Sequence, residues 1–151
     1  MERKFEKPSQ VVLTYVNQIP PSKRVKTVSS SDSYGILLQC YNPQTIEHHM
    51  EVKALLLNRA SEVLGVIDVG SGGNVDSPID TKAVFQAVLL SNASGVIIAR
   101  NTPSGLRSAS MQDIVIADHC GKLCKLLDIL LLDYLIIDGN QFYSFVDEGR
   151  L

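Results

Sequence analysis

At 151 residues the chain can bury one hydrophobic core comfortably and two only poorly. Its composition, 45% hydrophobic and 20% charged, is that of an ordinary globular protein. A net charge of −2 and a pI near 5.9 exclude the overall basic balance of a protein that lives on nucleic acid.

The N-terminus, MERKFEKPSQ, lacks the apolar stretch of a secretory leader. Residues 1–30 read as an N-terminal arm with polar ends, a short alternating stretch at residues 11–16 and then PPSKR. Lys23, Arg24 and Lys26 form its one tight basic cluster, which reads as a solvated segment. In SSSDSYGILLQCY, Ser and Asp supply helix-start chemistry, and Tyr34, Ile36, Leu37 and Leu38 supply an apolar face, so a short helix is expected. Two strands follow, at about 51–57 and 62–69, joined by a tight turn at residues 58–61. The segment GSGGNVDSP reads as a loop and not as a phosphate cradle, because it has neither the P-loop lysine nor a G-x-G-x-x-G spacing.

A second helix opens at Asp80, with Val84, Ala87, Val88 and Leu89 on its apolar face and Asn92 near its end. Residues 95–99 are a buried strand by their Val-Ile-Ile content. Pro103, Ser104 and Gly105 then form a turn by composition, and Ser110-Met111-Gln112-Asp113 matches the S-x-x-D start of a capped helix. That third helix repeats apolar residues at Ile116, Cys120, Leu123 and Leu127. Gly121 in its interior costs about 1 kcal/mol relative to alanine, which predicts a packing reason for it. A closing hairpin is expected, with strands near 131–137 and 141–146 and positive-φ turn chemistry at Asp138-Gly139. The most apolar run, residues 126–137, is broken by Asp128 and Asp133 and is too short to span a bilayer. A cytoplasmic location is therefore expected.

The order helix, two strands, helix, strand, helix, two strands predicts a mixed α/β (α+β) domain over residues 31–151, with helices packed on one sheet. Three cysteines at irregular spacing imply no disulfide framework. Cys120 and Cys124 lie four apart beside His119, but they lack a second ligand pair and read as small buried hydrophobes. In α/β folds ligands bind beyond the C-terminal ends of strands, and the loop at residues 99–113 occupies such a place.

The residues of that loop carry a resemblance. NRASEVLGVIDVGSGG, DTKAVFQAVLLSNASGVIIA, PSG, SxxD, LLDYLII and YSFVDEGRL resemble the RadC family, collinearly from about Val11 to the C-terminus. The match is to the short form without an N-terminal helix-hairpin-helix module. The resemblance implies a JAB/MPN (JAMM) domain, cytidine-deaminase-like, with a curved mixed sheet flanked by helices. It also implies the motif E-x(n)-H-x-H-x(7)-S-x-x-D, in which two His and the Asp hold a zinc, the Glu is the base and the Ser steadies the oxyanion.

On this chain Ser110 and Asp113 fall on the Ser and Asp of that motif, and Glu51 is assigned the base position. The two His positions are Arg100 and Thr102, so HNHPSG becomes RNTPSG, and Tyr134 stands where relatives have His. Catalytic zinc needs three protein ligands and an open position. Arginine has no lone pair to offer, threonine is a poor ligand, and only Asp113 remains, so no zinc is expected. His48 and His49 precede Glu51 with a spacing that suits no JAMM geometry, and His119 should point away from the loop.

Arg100 is expected to replace the metal electrostatically, in an ion cluster with Glu51 and Asp113. Ser110 and Asp113 also read simply as a helix cap, and Glu51 as a solvent-facing residue at a strand start. The functional expectation is an inactive RadC-like domain with an interaction or structural role. The alternatives are a metal-dependent peptide or isopeptide hydrolase with non-standard ligands, and a DNA-repair association that rests on the family name. Partners expected from sequence are an unidentified protein or a second copy of the chain.

Overall fold

The computed structural model describes residues 7–12, 14–72, 79–105 and 108–151. Among these, three helices flank one five-stranded mixed sheet. In chain order the elements are α1 (Ser30–Leu38), β1 (Met50–Leu57), β2 (Val63–Gly72), α2 (Thr81–Leu90), β3 (Gly95–Asn101), α3 (Met111–Leu126), β4 (Leu130–Ile137) and β5 (Phe142–Ser144). The spatial order is β2-β1-β3-β4-β5, with β3 and β4 parallel and every other pair antiparallel. This is the mixed architecture expected from sequence. No described helix is long and apolar enough to cross a membrane.

Each helix starts where cap chemistry places it. Ser29 accepts from the Asp32 amide at 3.1 Å, Asp80 from the Ala83 amide at 3.0 Å, and Ser110 from the Asp113 amide at 3.1 Å. Helices α2 and α3 end alike. Asn92 (φ 53°) and Asp128 (φ 55°) take the left-handed conformation, and the next amide reaches back, Ala93 to the Val88 carbonyl and Ile129 to the Cys124 carbonyl. Both helices therefore turn directly into the parallel pair β3 and β4. At the start of β3, a Cβ on Gly95 would sit 2.5 Å from Leu132 Cδ1, so a larger residue there would have to displace the Leu132 side chain beside the irregularity in β4.

The core has two sides. Val52, Ala54, Leu56, Val96, Ile98, Tyr134 and Ile136 point toward α2 and α3, while Leu55, Leu57, Ile97, Ala99, Leu135 and Ile137 point toward α1. The helix faces follow the sequence reading in part: Val84, Val88 and Cys120 are buried and Ala87, Ile116 and Leu123 pack at the margin, but Leu89 and Leu127 are exposed. In α2 the buried set is Val84, Phe85 and Val88, and Leu89 is exposed. In α3 it is Asp113, Ala117, Cys120 and Cys124, with Ile116 and Leu123 at the margin and Leu127 largely exposed. A polar residue begins the true stripe, and that disguises it. Gly121 has only the Leu131 side chain near its missing Cβ, at an ordinary 3.8 Å, so no close approach demands it.

Strand β2 runs on through Ser71 and Gly72, into the start of the glycine-rich segment read as a loop; the rest of that segment, 73–78, lies outside the described residues. The final hairpin also departs from expectation. Neither Asp138 nor Gly139 has a positive φ; instead the Asp138 carboxylate accepts the Asn140 and Gln141 amides, each at 2.7 Å. Strand β5 is shorter than expected, because Asp133 captures the backbone beyond it. Its carboxylate accepts from Ser144 Oγ at 2.6 Å, from the Tyr134 amide at 2.8 Å and from the Val146 amide at 3.2 Å.

Burial pushes the Asp133 carboxyl above the usual aspartate range, against the pull of these donors. A folded value above the unfolded one means the folded state holds the proton more tightly. The stability that Asp133 contributes is thus greatest below the unfolded value and declines as pH rises through the folded one. Asp133→Asn, which keeps an acceptor and the size, is expected to flatten that part of the profile in urea melts taken over about pH 3 to 7. A slope unchanged in the variant would contradict this.

Candidate functional site

Three elements meet at the C-terminal end of β3. Arg100 is the sixth residue of that strand and pairs with Val52 on one side and Ile136 on the other, so it faces the α2/α3 side of the sheet. Tyr134, paired with Ile98, faces the same way from β4 and packs on Phe145 with ring centroids 4.9 Å apart. Asp113 enters from above at the third position of α3, where the capping box puts it: its amide bonds the Ser110 hydroxyl while its carboxylate accepts the Ser110 amide.

These side chains converge on one carboxylate. Arg100 Nε donates to Asp113 Oδ1 and Arg100 Nη2 to Oδ2, both at 2.6 Å, a bidentate fork. Tyr134 Oη donates to Oδ1 at 2.9 Å, and the Ser110 amide and Oγ both reach Oδ2 at 2.8 Å. Asp113 is 2% exposed and Arg100 9%. Burial alone pushes the Asp113 carboxyl up, but Arg100 and Ser110 together bring it below the usual aspartate range. For Arg100, burial opposes the charge and the Asp113 carboxylate more than restores it. Tyr134 is held well above the ordinary tyrosine range, chiefly by burial and then by the neighbouring carboxylate, so it stays a neutral donor.

Arg100 and Asp113 thus form the pair expected from sequence, but Glu51 does not join them. Glu51 lies one residue before Val52, and the pleat turns it to the opposite face of the sheet from Arg100. There it pairs with His49 Nε2 at 3.4 Å and Lys53 Nζ at 3.8 Å, and Lys53 in turn bonds Asp68 and sits over the Tyr41 ring. The residue of β1 that shares the Val52 and Arg100 parity at this end is Met50, which is buried and carries no carboxylate. The expected three-residue cluster is therefore a two-residue pair completed by Tyr134 and Ser110.

Thr102 is buried; its amide donates to the Ile137 carbonyl at 2.8 Å and its Oγ1 lies 3.4 Å from Ser104 Oγ. Residues 102–105 close as a turn, with the Gly105 amide bonded to the Thr102 carbonyl at 3.0 Å and Gly105 at φ 75°. His48 and His119 are exposed, and His119 lies outside the cluster. Among the described residues, no three His, Cys, Asp or Glu side chains converge in a way that could hold a metal ion.

Sequence reasoning missed Asn101. Fully buried, it points to the α1 side and ties β3 to the segment before β1. Its Nδ2 donates to the Ile46 carbonyl at 2.7 Å and to the His49 carbonyl at 2.9 Å, and its Oδ1 accepts the Glu51 amide at 2.6 Å. The available signal was a polar amide next to the buried strand, opposite in parity to Arg100.

A family model described as a RadC-like JAB domain matches residues 28–150. The chain belongs to the RadC-like JAB family. Among curated relatives, a UPF0758 protein of Flavobacterium johnsoniae is 33% identical over 127 residues, covering 84% of this chain and 54% of that protein. A UPF0758 protein of Porphyromonas gingivalis is 34% identical over 102 residues, covering 67% and 45%, and one of Legionella pneumophila is 28% identical over 131 residues, covering 85% and 55%. The chain spans about half the length of the curated relatives it matches. Within this RadC-like domain, the position where the family resemblance implies a zinc is filled by the Arg100 fork. The donor set does not fit that metal, because Asp113 is the one ligand type left and its oxygens already receive five hydrogen bonds.

Proposed function

We propose that this chain is a RadC-like JAB domain without zinc-hydrolase chemistry, serving as an interaction or structural module. One observation carries the reading: the Arg100 guanidinium grips the carboxylate that would otherwise coordinate metal. A divalent cation brought to Asp113 would have to break a buried fork and sit beside a permanent positive charge. The Glu51 carboxylate, assigned as the base, is turned to the other face of the sheet, where it pairs with His49 and Lys53 rather than with the Arg100–Asp113 fork. The reading takes nothing from the DNA-repair association of the family name, and the net charge of −2 gives direct DNA contact no support.

The test is metal content. The purified, untagged chain is expected to carry far less than one zinc per molecule. Stoichiometric zinc that disappears in Asp113→Ala would overturn the proposal and favour the hydrolase with non-standard ligands. In the converse experiment, Arg100→His with Thr102→His frees Asp113 and places two imidazoles at the end of β3. Zinc uptake by that double variant alone is the expected result.

A further inference from the structure

We propose that the N-terminal arm of one copy, residues 7–20, pairs along the free edge of β2 in a second copy, so that two chains exchange arms in a symmetric dimer. The inference does not depend on the reading of the zinc position. Both halves of the contact are present on every chain. Strand β2 is the outermost strand of the sheet, and among the described residues its ladder partner is β1. On its outer side the Val63 amide is bonded to Val25, the Leu64 carbonyl to Tyr15 and the Val69 carbonyl to the Asp80 amide, so the open stretch of edge is residues 65–68. Such an edge presents unpaired backbone groups and recruits another strand unless something covers it.

The arm is built to be that strand. Residues 10–16 read QVVLTYV, rich in β-branched and aromatic side chains, and the only charge between residues 7 and 20 is Lys7, opposite in sign to Asp68 on β2. Yet Val11, Val12 and Val16 are 81%, 75% and 68% exposed, and among the described residues no backbone–backbone hydrogen bond involves residues 7–19. An extended apolar segment held in water is costly unless a partner covers it.

The chain already begins the addition and then breaks it off. Lys26 bridges Glu62, the Thr27 amide donates to the Ser61 carbonyl at 3.0 Å, and the Val63 amide to the Val25 carbonyl at 2.9 Å. Pro20 and Pro21, which have no N–H to give, then enter a tight turn through Lys23. Beyond that turn, the Tyr15 hydroxyl donates to the Leu64 carbonyl of β2, at 2.5 Å. Val66, further along the edge, stays exposed. The proline turn thus takes the backbone of the arm off its own edge, leaving Tyr15 as a side-chain tether and the arm's backbone groups open to a neighbour. Under a two-fold axis each copy gives one arm and receives one, the arrangement of a domain swap. The family match begins at residue 28, so the exchanged segment lies outside the matched domain.

The experiment measures the mass of the full chain by light scattering over about 1 to 100 μM, since mass action makes a dimer concentration-dependent. Twice the 16.5 kDa of one chain is expected at the upper end, falling toward one on dilution. Val12→Asp with Val16→Asp changes only exposed arm residues; it is expected to give a monomer with an unchanged circular dichroism spectrum and melting temperature. A synthetic peptide of residues 7–20 in excess is expected to convert the wild-type dimer to monomer. A single-chain mass throughout the range overturns the proposal, including the case in which amide exchange shows the arm protecting its own β2. A dimer that survives both the arm substitutions and the peptide overturns it too, because its interface then lies elsewhere.

Discussion

Arg100→Ala is expected to cost the fold about 3 to 5 kcal/mol in denaturant melts, against about 0.5 for an ordinary surface change. The reason is what it leaves behind. Asp113 is 2% exposed, and without the guanidinium its charge has only the Tyr134 hydroxyl and the Ser110 groups for support. Arg100→Lys keeps the charge but not the fork, and should fall between wild type and alanine.

The double variant Arg100→Met/Asp113→Asn is expected to be more stable than Arg100→Ala alone, since removing both charges removes the unpaired one. The pH profile separates an ion pair from mere packing. In the wild type the Asp113 carboxyl is held below its unfolded value. Its contribution is therefore present above the unfolded value and is lost as pH falls through the lower folded one. In Arg100→Ala the sign should reverse, because protonating a buried, unpaired carboxylate relieves it. If acid destabilises the variant as it does the wild type, the pair does not carry the stability assigned to it.

Asn101→Ala should cost about 2 to 4 kcal/mol, on the scale of leaving several buried polar groups unpaired at once. It strands the Ile46 and His49 carbonyls and the Glu51 amide, which lie where the chain comes off the α1 side and enters β1. Asn101→Asp should be no better, because it replaces the NH2 group, with its two N–H donors, by one oxygen that faces two carbonyls. Hydrogen exchange at the Glu51 amide should accelerate in both variants. An alanine variant that melts like the wild type would show that this polar knot adds nothing.

The order of elements was legible in the sequence because local chemistry announces each one. Ser29, Asp80 and Ser110 cap the helices as their side chains predict, and the Val-Ile-Ile run of β3 has no plausible home but a buried strand. The Arg100–Asp113 pair was legible for a related reason. A capping box fixes where Asp113 stands relative to α3, and a strand leading into that helix brings Arg100 beneath it.

Faces were harder to read. Glu51 and Met50 differ by one position, and in a strand one position is the whole difference between the two sides of a sheet. Irregularities in the β1–β2 pairing, between Val52 and Lys53 and between Leu56 and Leu57, blur the alternation that would have decided it. The α3 face was read only in part: Ile116, Cys120 and Leu123 pack on the core as expected, but its first buried member is a carboxylate, which hydrophobic periodicity skips. Asn101 gave only the signal of a polar amide at the end of a buried strand, and its worth depends on three backbone groups that the sequence does not place.

Asp113 belongs to two structures at once. Its carboxylate closes the first turn of α3 through Ser110, and the same two oxygens pin the end of β3 through Arg100 and the middle of β4 through Tyr134. Helix beginnings ordinarily fray, opening and closing at little cost. This one cannot loosen without exposing a buried ion pair and releasing two strands of the parallel half of the sheet. The first turn of α3 is in that sense a latch, and the cheapest opening available to it is close to unfolding the domain.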